Sequence, residues 1–296
     1  MDTNPYLTKL GFSLTDRVAI VHADDIGMCQ ATLPAISDLL GFGLVTSAAV
    51  MVPCPWFQGA AQYAREHPGV DFGVHLTLNS EWDTYRWGPV STRDAASGLL
   101  DGEGYFFDNT EATQQVADPT AVRRELDAQL AIAKAAGIDP THADTHMFCV
   151  AHPQIFSHYA QAALDAGTFP LAFFPGSLGW SKFFGDMELP EIAQVANQLA
   201  EIGSPMIDDV YMMNLDTHED RLEEAKQAFS NLQPGLTHFI LHPAMDTPEL
   251  RAMAPDWRCR VADYETFMSQ ELKDYVKYIG AQLIGYGALL KAMREA

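Results

Sequence analysis

Apolar and polar positions alternate along this chain in blocks rather than residue by residue. The first block is Val18-Ala19-Ile20-Val21-His22-Ala23, which runs into Asp24-Asp25-Ile26-Gly27. A β-branched apolar run of this length predicts a strand buried on both faces. Residues 30–40 then carry a helical pattern closed by Gly41 and Gly43, and Val45–Val52, rich in Val, Ala and Thr, predicts a second strand punctuated by Pro53 and Pro55. A helix over Trp56–His67 stops at Pro68-Gly69, and a third strand over Val70–Leu76 carries His75 at its C-terminal end.

The same alternation continues to the C-terminus. Asp118-Pro119 predicts a helix start, with Asp as the cap and Pro at the first position. Val122, Leu126, Leu130 and Ala133 recur at helical spacing, and Gly137 ends the helix. Strand-like segments follow at Thr141–His146, Leu171–Phe174, within Ile207–Leu215, at Thr237–Leu241 and near Leu283–Ile284. Helices are expected over Pro153–Ala166, Leu189–Ile202, His218–Phe229 and most of Ala262–Tyr278, with another closing the chain. The leader to Asp16 reads as irregular. The stretch Thr77–Ala117 reads as a long loop holding Trp82, Tyr85, Trp87, Tyr105, Phe106 and Phe107, and a second aromatic loop holds Trp180, Phe183 and Phe184. Long aromatic loops of this kind are functional more often than disordered.

Strand–helix alternation without a composition break implies a parallel sheet with helices outside. The fold expected is α/β, a TIM-barrel-like (β/α) barrel of about seven strands, closed or nearly so, with residues 1–296 as one domain. No Gly-rich phosphate loop follows the first strand, which disfavours an open dinucleotide-binding sheet. Polar residues also gather at strand C-termini, the end at which barrels of this type carry their active sites.

Composition narrows the function. Hydrophobic residues make up 48% of the chain and charged ones 19%, an ordinary globular balance. The 39 acidic and 18 basic side chains give a formal charge of -21, which excludes nucleic acid and anionic membrane as expected partners. Cys29, Cys54, Cys149 and Cys259 are scattered, so neither a zinc–thiolate site nor a disulfide framework is signalled. With no signal peptide or membrane-spanning run in view, a cytoplasmic address is expected.

The candidate chemistry lies in the polar ends. Adjacent carboxylates at the end of a buried strand repel and desolvate each other unless a cation is present. Asp24 and Asp25 cannot share a face in an extended strand, but they converge if the chain curls at Gly27. His142, Asp144 and His146, spaced i, i+2, i+4, share one face of a strand. An Asp and two His make a three-ligand divalent site that leaves room for water, whose pKa the ion lowers. On this reading the Asp24–Asp25 pair supplies a base and a ligand, His75 and His146 the nitrogens, and His242 the acid. The remaining histidines, His22 and His238 among them, read as structural or surface; His152 is left open.

Five segments, in order, resemble the motifs of the YdjC-like (ChbG/HpnK) carbohydrate deacetylases. They are Ala23-Asp24-Asp25-Ile26-Gly27, Val45-Thr46-Ser47, Gly73-Val74-His75-Leu76, Thr141-His142-Ala143-Asp144-Thr145-His146 and His242-Pro243-Ala244. The resemblance implies a barrel related to the polysaccharide deacetylases, with a divalent ion on Asp25, His75 and His146 and Asp24 as base. It brings in Mg2+, while imidazole ligands suit Zn2+, Co2+ or Ni2+. The activity it implies is removal of acetyl groups from N-acetylated sugars or oligosaccharides, with ion-activated water attacking the acetamide carbonyl. His142, Asp144, Trp82 and Trp87 are expected around the centre or against the substrate, and a small carbohydrate is the expected partner, with homodimerisation left open. The alternatives are hydrolysis of another amide or ester, or metal-dependent sugar binding without turnover. The chain departs from the family pattern at Met147-Phe148-Cys149-Val150-Ala151, where further histidines often follow the second motif; here His152 is displaced.

Overall fold

The computed structural model describes residues 4–185 and 187–295. Its centre is a parallel sheet built from β1 (Arg17–Ile26), β2 (Ser47–Val50), β3 (Phe72–Leu76), β4 (Ala143–Thr145), β5 (Asp209–Met212) and β6 (Gly235–Leu241), with the short β7 (Gln282–Leu283). The strand order is β4-β3-β2-β1-β6-β5, and β7 pairs with the lower part of β1. The sheet curves into a half-barrel. Between its outer strands runs the seam 169–174, which makes isolated parallel bridges, Ala143 to Pro170 and Phe173 to Ile207, instead of a ladder. Leu171 N donates to Ala143 O at 2.8 Å, and Ile207 N to Ala172 O at 2.9 Å. The strand expected at Leu171–Phe174 is therefore a string of bridges. Pro170 has no N–H to give a ladder, which accounts for the break.

β1 is the axis. Every residue from Val18 to Ile26 is buried, and its neighbours β2 and β6, with β3 beyond β2, are buried throughout. This is the double burial of a parallel sheet covered by helices, as the continuous apolar runs predict. The helix over Pro119–Ala135 begins as its sequence dictates: the Asp118 carboxylate accepts from Ala121 N at 2.8 Å, and Gly137 turns the chain at φ 94°. Ala121, Val122, Leu126, Leu130 and Ala133 form its buried stripe; burying each Leu contributes roughly 1.5–3 kcal/mol.

Two segments expected to be irregular are helical. Pro5–Lys9 forms a short helix capped by the Asn4 side chain, whose amide also donates to Met206 O and Asp208 Oδ2, both at 2.9 Å. Leu178–Phe184 forms a helix capped by Ser177. Both are too short for a 3.6-residue period to show in sequence. The long stretch 77–117 is mostly loop, with a helix at Thr110–Val116, and is pinned by Arg86, which donates to Asp101 Oδ2 at 2.8 Å and to Phe106 O at 2.6 Å. Among the described residues no helix is long and apolar enough to cross a membrane.

Candidate metal centre and catalytic cavity

The two leading carboxylates converge because β1 is broken at its end. Its register with β2 shifts between Ala23 and Ile26, and the left-handed residues are Asp25 (φ 63°) and Gly27 (φ 84°). The curl expected at Gly27 thus begins two residues earlier, at Asp25 itself. Asp and Asn tolerate this region better than other side-chain-bearing residues. The result is that Asp24 and Asp25 both line a cavity of about 660 Å³ at the C-terminal end of the strands.

His75 and Asp144 are register partners on β3 and β4, so the sheet itself sets His75 Nδ1 at 2.9 Å from Asp144 Oδ1. With Nδ1–H donated there, His75 Nε2 turns a lone pair toward Asp25 Oδ1 at 3.5 Å. His146 mirrors this with its nitrogens exchanged: Nε2 is 2.9 Å from Glu81 Oε2, and Nδ1 is 3.2 Å from the same Asp25 Oδ1. The other oxygen of Asp25 is held by Arg260 Nη1 at 2.8 Å. Each of the three groups therefore has one atom tied by a neighbour and one atom free, and the free atoms converge.

Among the described residues, Asp25 Oδ1 is buried without a hydrogen-bond partner. Two imidazole lone pairs facing an unpartnered carboxylate oxygen require positive charge between them. Atoms coordinating one ion at the usual 2.0–2.2 Å lie about 3.0–3.5 Å from each other, which fits the measured 3.2 and 3.5 Å. Carboxylates behind ligating histidines are the usual outer-shell arrangement. The residues present thus fit a divalent ion at Asp25, His75 and His146.

The electrostatics agree. Burial alone would raise the pKa of Asp25, but Arg260 and His146 hold it well below the carboxylate range. Burial opposes a charge on His146, yet Glu81 and Asp25 outweigh it and push its pKa up to about 10. The cluster calls for a cation: protons supply it when no metal is there.

Asp24 stands beside this set. Its Oδ2 is 3.8 Å from both His75 Nε2 and His242 Nε2, and its Oδ1 is 3.1 Å from His22 Nε2. Burial would raise its pKa, but His75 and His22 keep it lowered, so it remains a carboxylate facing the cavity. His242 follows β6; its backbone N–H donates to Asp263 Oδ2 at 2.9 Å, and Asp263 is paired with Arg221 at 2.7 Å.

The remaining candidates are sorted by depth. His142 is fully buried below the cavity floor, its Nδ1 3.0 Å from Thr141 Oγ1 and its ring stacked on Tyr286 at 3.8 Å. Gly73 makes room for it, since a Cβ there would sit 2.3 Å from the imidazole. Asp144 lies one layer higher and joins His75 to His22, whose Nε2 is 2.9 Å from Asp144 Oδ2. His146 lies past the end of β4, where Met147 (φ 50°) and Phe148 (φ 51°) turn the chain sharply. Trp82 lines the cavity, while Trp87 stands behind it, edge-on at 5.6 Å, with Nε1 donating to Asn79 O at 2.6 Å. His152 is absent from the cavity lining; its side chain sits 3.4 Å from Gln154 N in the turn before the helix over Phe156–Asp165.

Sequence reasoning missed Glu81 and Arg260, for which no local signal exists, and set aside His22. Strand alternation does flag His22, two residues before Asp24 and on the same face. Flanking Asp144 and Asp24 overcome its burial and raise its pKa to about 9.

Known proteins give this constellation a family. The sequence profile of the YdjC-like protein family matches residues 18–278. A Thermus thermophilus protein named carbohydrate deacetylase is 35% identical over 257 residues, 87% of this chain and 88% of that one. A carbohydrate deacetylase of Brevibacillus brevis is 40% identical over 136 residues, 46% of this chain and 51% of its own. The crystal structure of an Enterococcus faecalis protein superposes with a TM-score of 0.74 at 21% identity, over 93% of this chain and 99% of that one, which establishes the common fold. The chain belongs to the YdjC-like protein family.

Proposed function

We propose that this protein is a metal-dependent hydrolase that removes the acetyl group from an N-acetylated sugar. The observation that carries the reading is the convergence, in one cavity, of three tethered ligand groups (Asp25, His75 and His146) with Asp24 and His242 beside them. Relatives named carbohydrate deacetylase supply the substrate class. A divalent ion bound here would polarise an amide carbonyl and make water more acidic; Mg2+ follows from the resemblance, and Zn2+, Co2+ or Ni2+ from the imidazole donors.

The chain's own residues do the rest. Asp24 takes a proton from the water that adds to the acetamide carbon. His242 delivers a proton to the sugar nitrogen as the C–N bond breaks, leaving acetate and a free amine. Asp144, Glu81 and Arg260 fix the three ligand groups in orientation. Trp82 brings the long loop against the substrate, with Trp87 as its backing. We also read the seam 169–174 as the stave that completes a seven-stave barrel, which encloses the cavity within a single domain.

Acetate release from N-acetylated mono- and disaccharides, assayed with each of the four metals, tests the reading. Acetate formed with at least one metal is the expected result. Sugar binding without acetate release under any metal would make this a binding protein, and release from simple esters alone would change the bond cleaved.

A further inference from the structure

The catalytic cavity has two unlike walls. On one side stand the charged groups of the metal centre. A second part of the lining is made by Phe148, Phe183, Val210, Met212, Leu215 and Ile240, none of which carries a side-chain N–H or O–H; Thr145, also in the lining, has its hydroxyl buried. Lys182 lies at the edge of this wall, but its ammonium is committed to Asp209 Oδ1 at 2.6 Å and to Val210 O at 3.0 Å.

A sugar ring pressed on this wall would lose the water around its hydroxyls and gain no partner. Nor do its two aromatic rings present one flat face to stack on: Phe148 and Phe183 meet at a 59° tilt with ring centroids 3.9 Å apart, and Phe183 also packs against Phe184 at 5.1 Å and Phe173 at 5.8 Å. The polar groups a sugar needs lie the other way. Glu81 and Trp82 are shared with a second basin of about 400 Å³ that adds Asp83, Thr84, Arg251 and Trp257. Sugar on that side leaves the acyl group facing the apolar wall.

Behind the Phe148–Phe183 pair lies a void of about 20 Å³, room for one water molecule, lined by Thr145, Phe156, Tyr159, Leu171 and Trp180 among others. Phe148 is held in place by two successive left-handed residues without glycine, at φ 50° and 51°, directly after the ligand His146. Such strain persists where a side chain must be aimed.

We propose that this wall is an acyl-chain subsite, and that the enzyme cleaves N-acylated amino sugars whose acyl chains are longer than acetyl. The inference rests on the hydrolase reading above. The chemistry is unchanged: water adds, the C–N bond breaks, and the products are the fatty carboxylate and the amino sugar. Phe148 and Phe183 set the length limit.

The test is a series of N-acetyl-, N-propionyl-, N-butyryl- and N-hexanoylglucosamine with the metal-loaded enzyme, following amine release. Each buried methylene is expected to raise kcat/KM about four-fold from acetyl to butyryl, the fold-change that ~0.8 kcal/mol gives. In Phe183→Ala, and in Phe183→Leu should the first variant fold poorly, the hexanoyl-to-acetyl ratio of kcat/KM should rise about ten-fold as the wall recedes. Amine release by the wild type that stays flat or falls along the series overturns the inference and leaves the deacetylase reading standing. Calorimetry of the same series on Asp24→Asn separates the two claims. Affinity that grows with chain length while the wild type releases no amine supports the subsite and removes the hydrolase reading, whereas affinity without length dependence overturns the subsite.

Discussion

The two sides of the barrel are built to different standards. β3 and β6 are wholly buried ladders and β1 is buried from Val18 to Ile26 with its register to β2 broken only near its end, and from these strands project Asp24, Asp25, His75 and His242. Each proposed ligand group has its spare atom fixed: His75 by Asp144 at 2.9 Å, His146 by Glu81 at 2.9 Å, Asp25 by Arg260 at 2.8 Å. Across the cavity, the seam 169–174 makes only isolated bridges and β5 is four residues long, with Met212 49% exposed. β5 gives Val210 and Met212 to the apolar wall, where Ile240 of β6 adjoins them. Chemistry at a metal needs groups placed to within about 0.5 Å, and hydrogen-bonded ladders supply that. A wall proposed to meet only hydrocarbon needs volume rather than fixed hydrogen bonds, which loosely tied elements supply as well.

Breaking the ordered side should have the largest effects. The His75→Ala, His146→Ala double variant removes two of three ligands and should lose its metal on dialysis, read by elemental analysis; full retention would place the ion elsewhere. Asp24→Asn keeps shape and hydrogen bonding but cannot take a proton. Its turnover should fall by about 10²–10⁴ with metal content unchanged, and equal turnover would move the base to another carboxylate. One layer out, Glu81→Ala should weaken metal binding about 10–100-fold, and Glu81→Gln less, because the amide oxygen still accepts from His146 Nε2. Metal titration of both variants reads this directly, and affinities equal to the wild type would show that Glu81 does not orient His146.

pH sharpens the same contrast. The His146 pKa is raised from 6.5 to about 10 in the metal-free protein. A raised pKa means that the proton stabilises the fold fully below the unfolded value and that this stabilisation is lost as pH rises through about 10. Metal competes with that proton for Nδ1, so binding must expel it. Metal affinity should therefore climb by about ten-fold per pH unit for each proton expelled between neutral pH and pH 10. Proton release, measured by calorimetry in buffers of different ionisation enthalpy, should be near one per ion or above. Affinity independent of pH would mean the ion does not use His146.

This contrast also explains what was legible in the sequence. The ordered side announces itself: long β-branched runs give β1 and β6, and the carboxylates and imidazoles at their ends are conspicuous because such groups are costly in a buried strand. The His75–Asp144 pair follows from the register of β3 against β4, which the spacing of the motifs along the chain does not show. Glu81 and Arg260 were not legible, because a loop and a helix residue reach the centre only through tertiary folding, 65 residues from His146 and 235 from Asp25 in sequence. The seam was legible as apolar residues but not as a broken strand, since composition does not show where Pro170 interrupts pairing. Trp180, Phe183 and Phe184 read as an aromatic loop because a seven-residue helix is too short to show its period.

The smallest effect concerns the junction of the two sides. Met147 follows the ligand His146 and precedes Phe148 of the apolar wall, and it holds φ 50° while 43% exposed. A side-chain-bearing residue in this region is strained by roughly 1–2 kcal/mol, because its Cβ crowds the neighbouring carbonyl. Met147→Gly and Met147→Ala lose the same partly solvated side chain and differ only in that Cβ. Glycine removes the strain but gains freedom in the unfolded chain, worth about 0.5–1 kcal/mol against it. The glycine variant should therefore be more stable than the alanine variant by about 0.5–1 kcal/mol, a difference of roughly 1–4 °C in Tm for a chain of this size. Both should retain metal, since both leave the side chains of Asp25, His75 and His146 in place. Alanine equal to or more stable than glycine would mean that the turn after His146 carries no strain, and the claim that Phe148 is held against a backbone preference would fall with it.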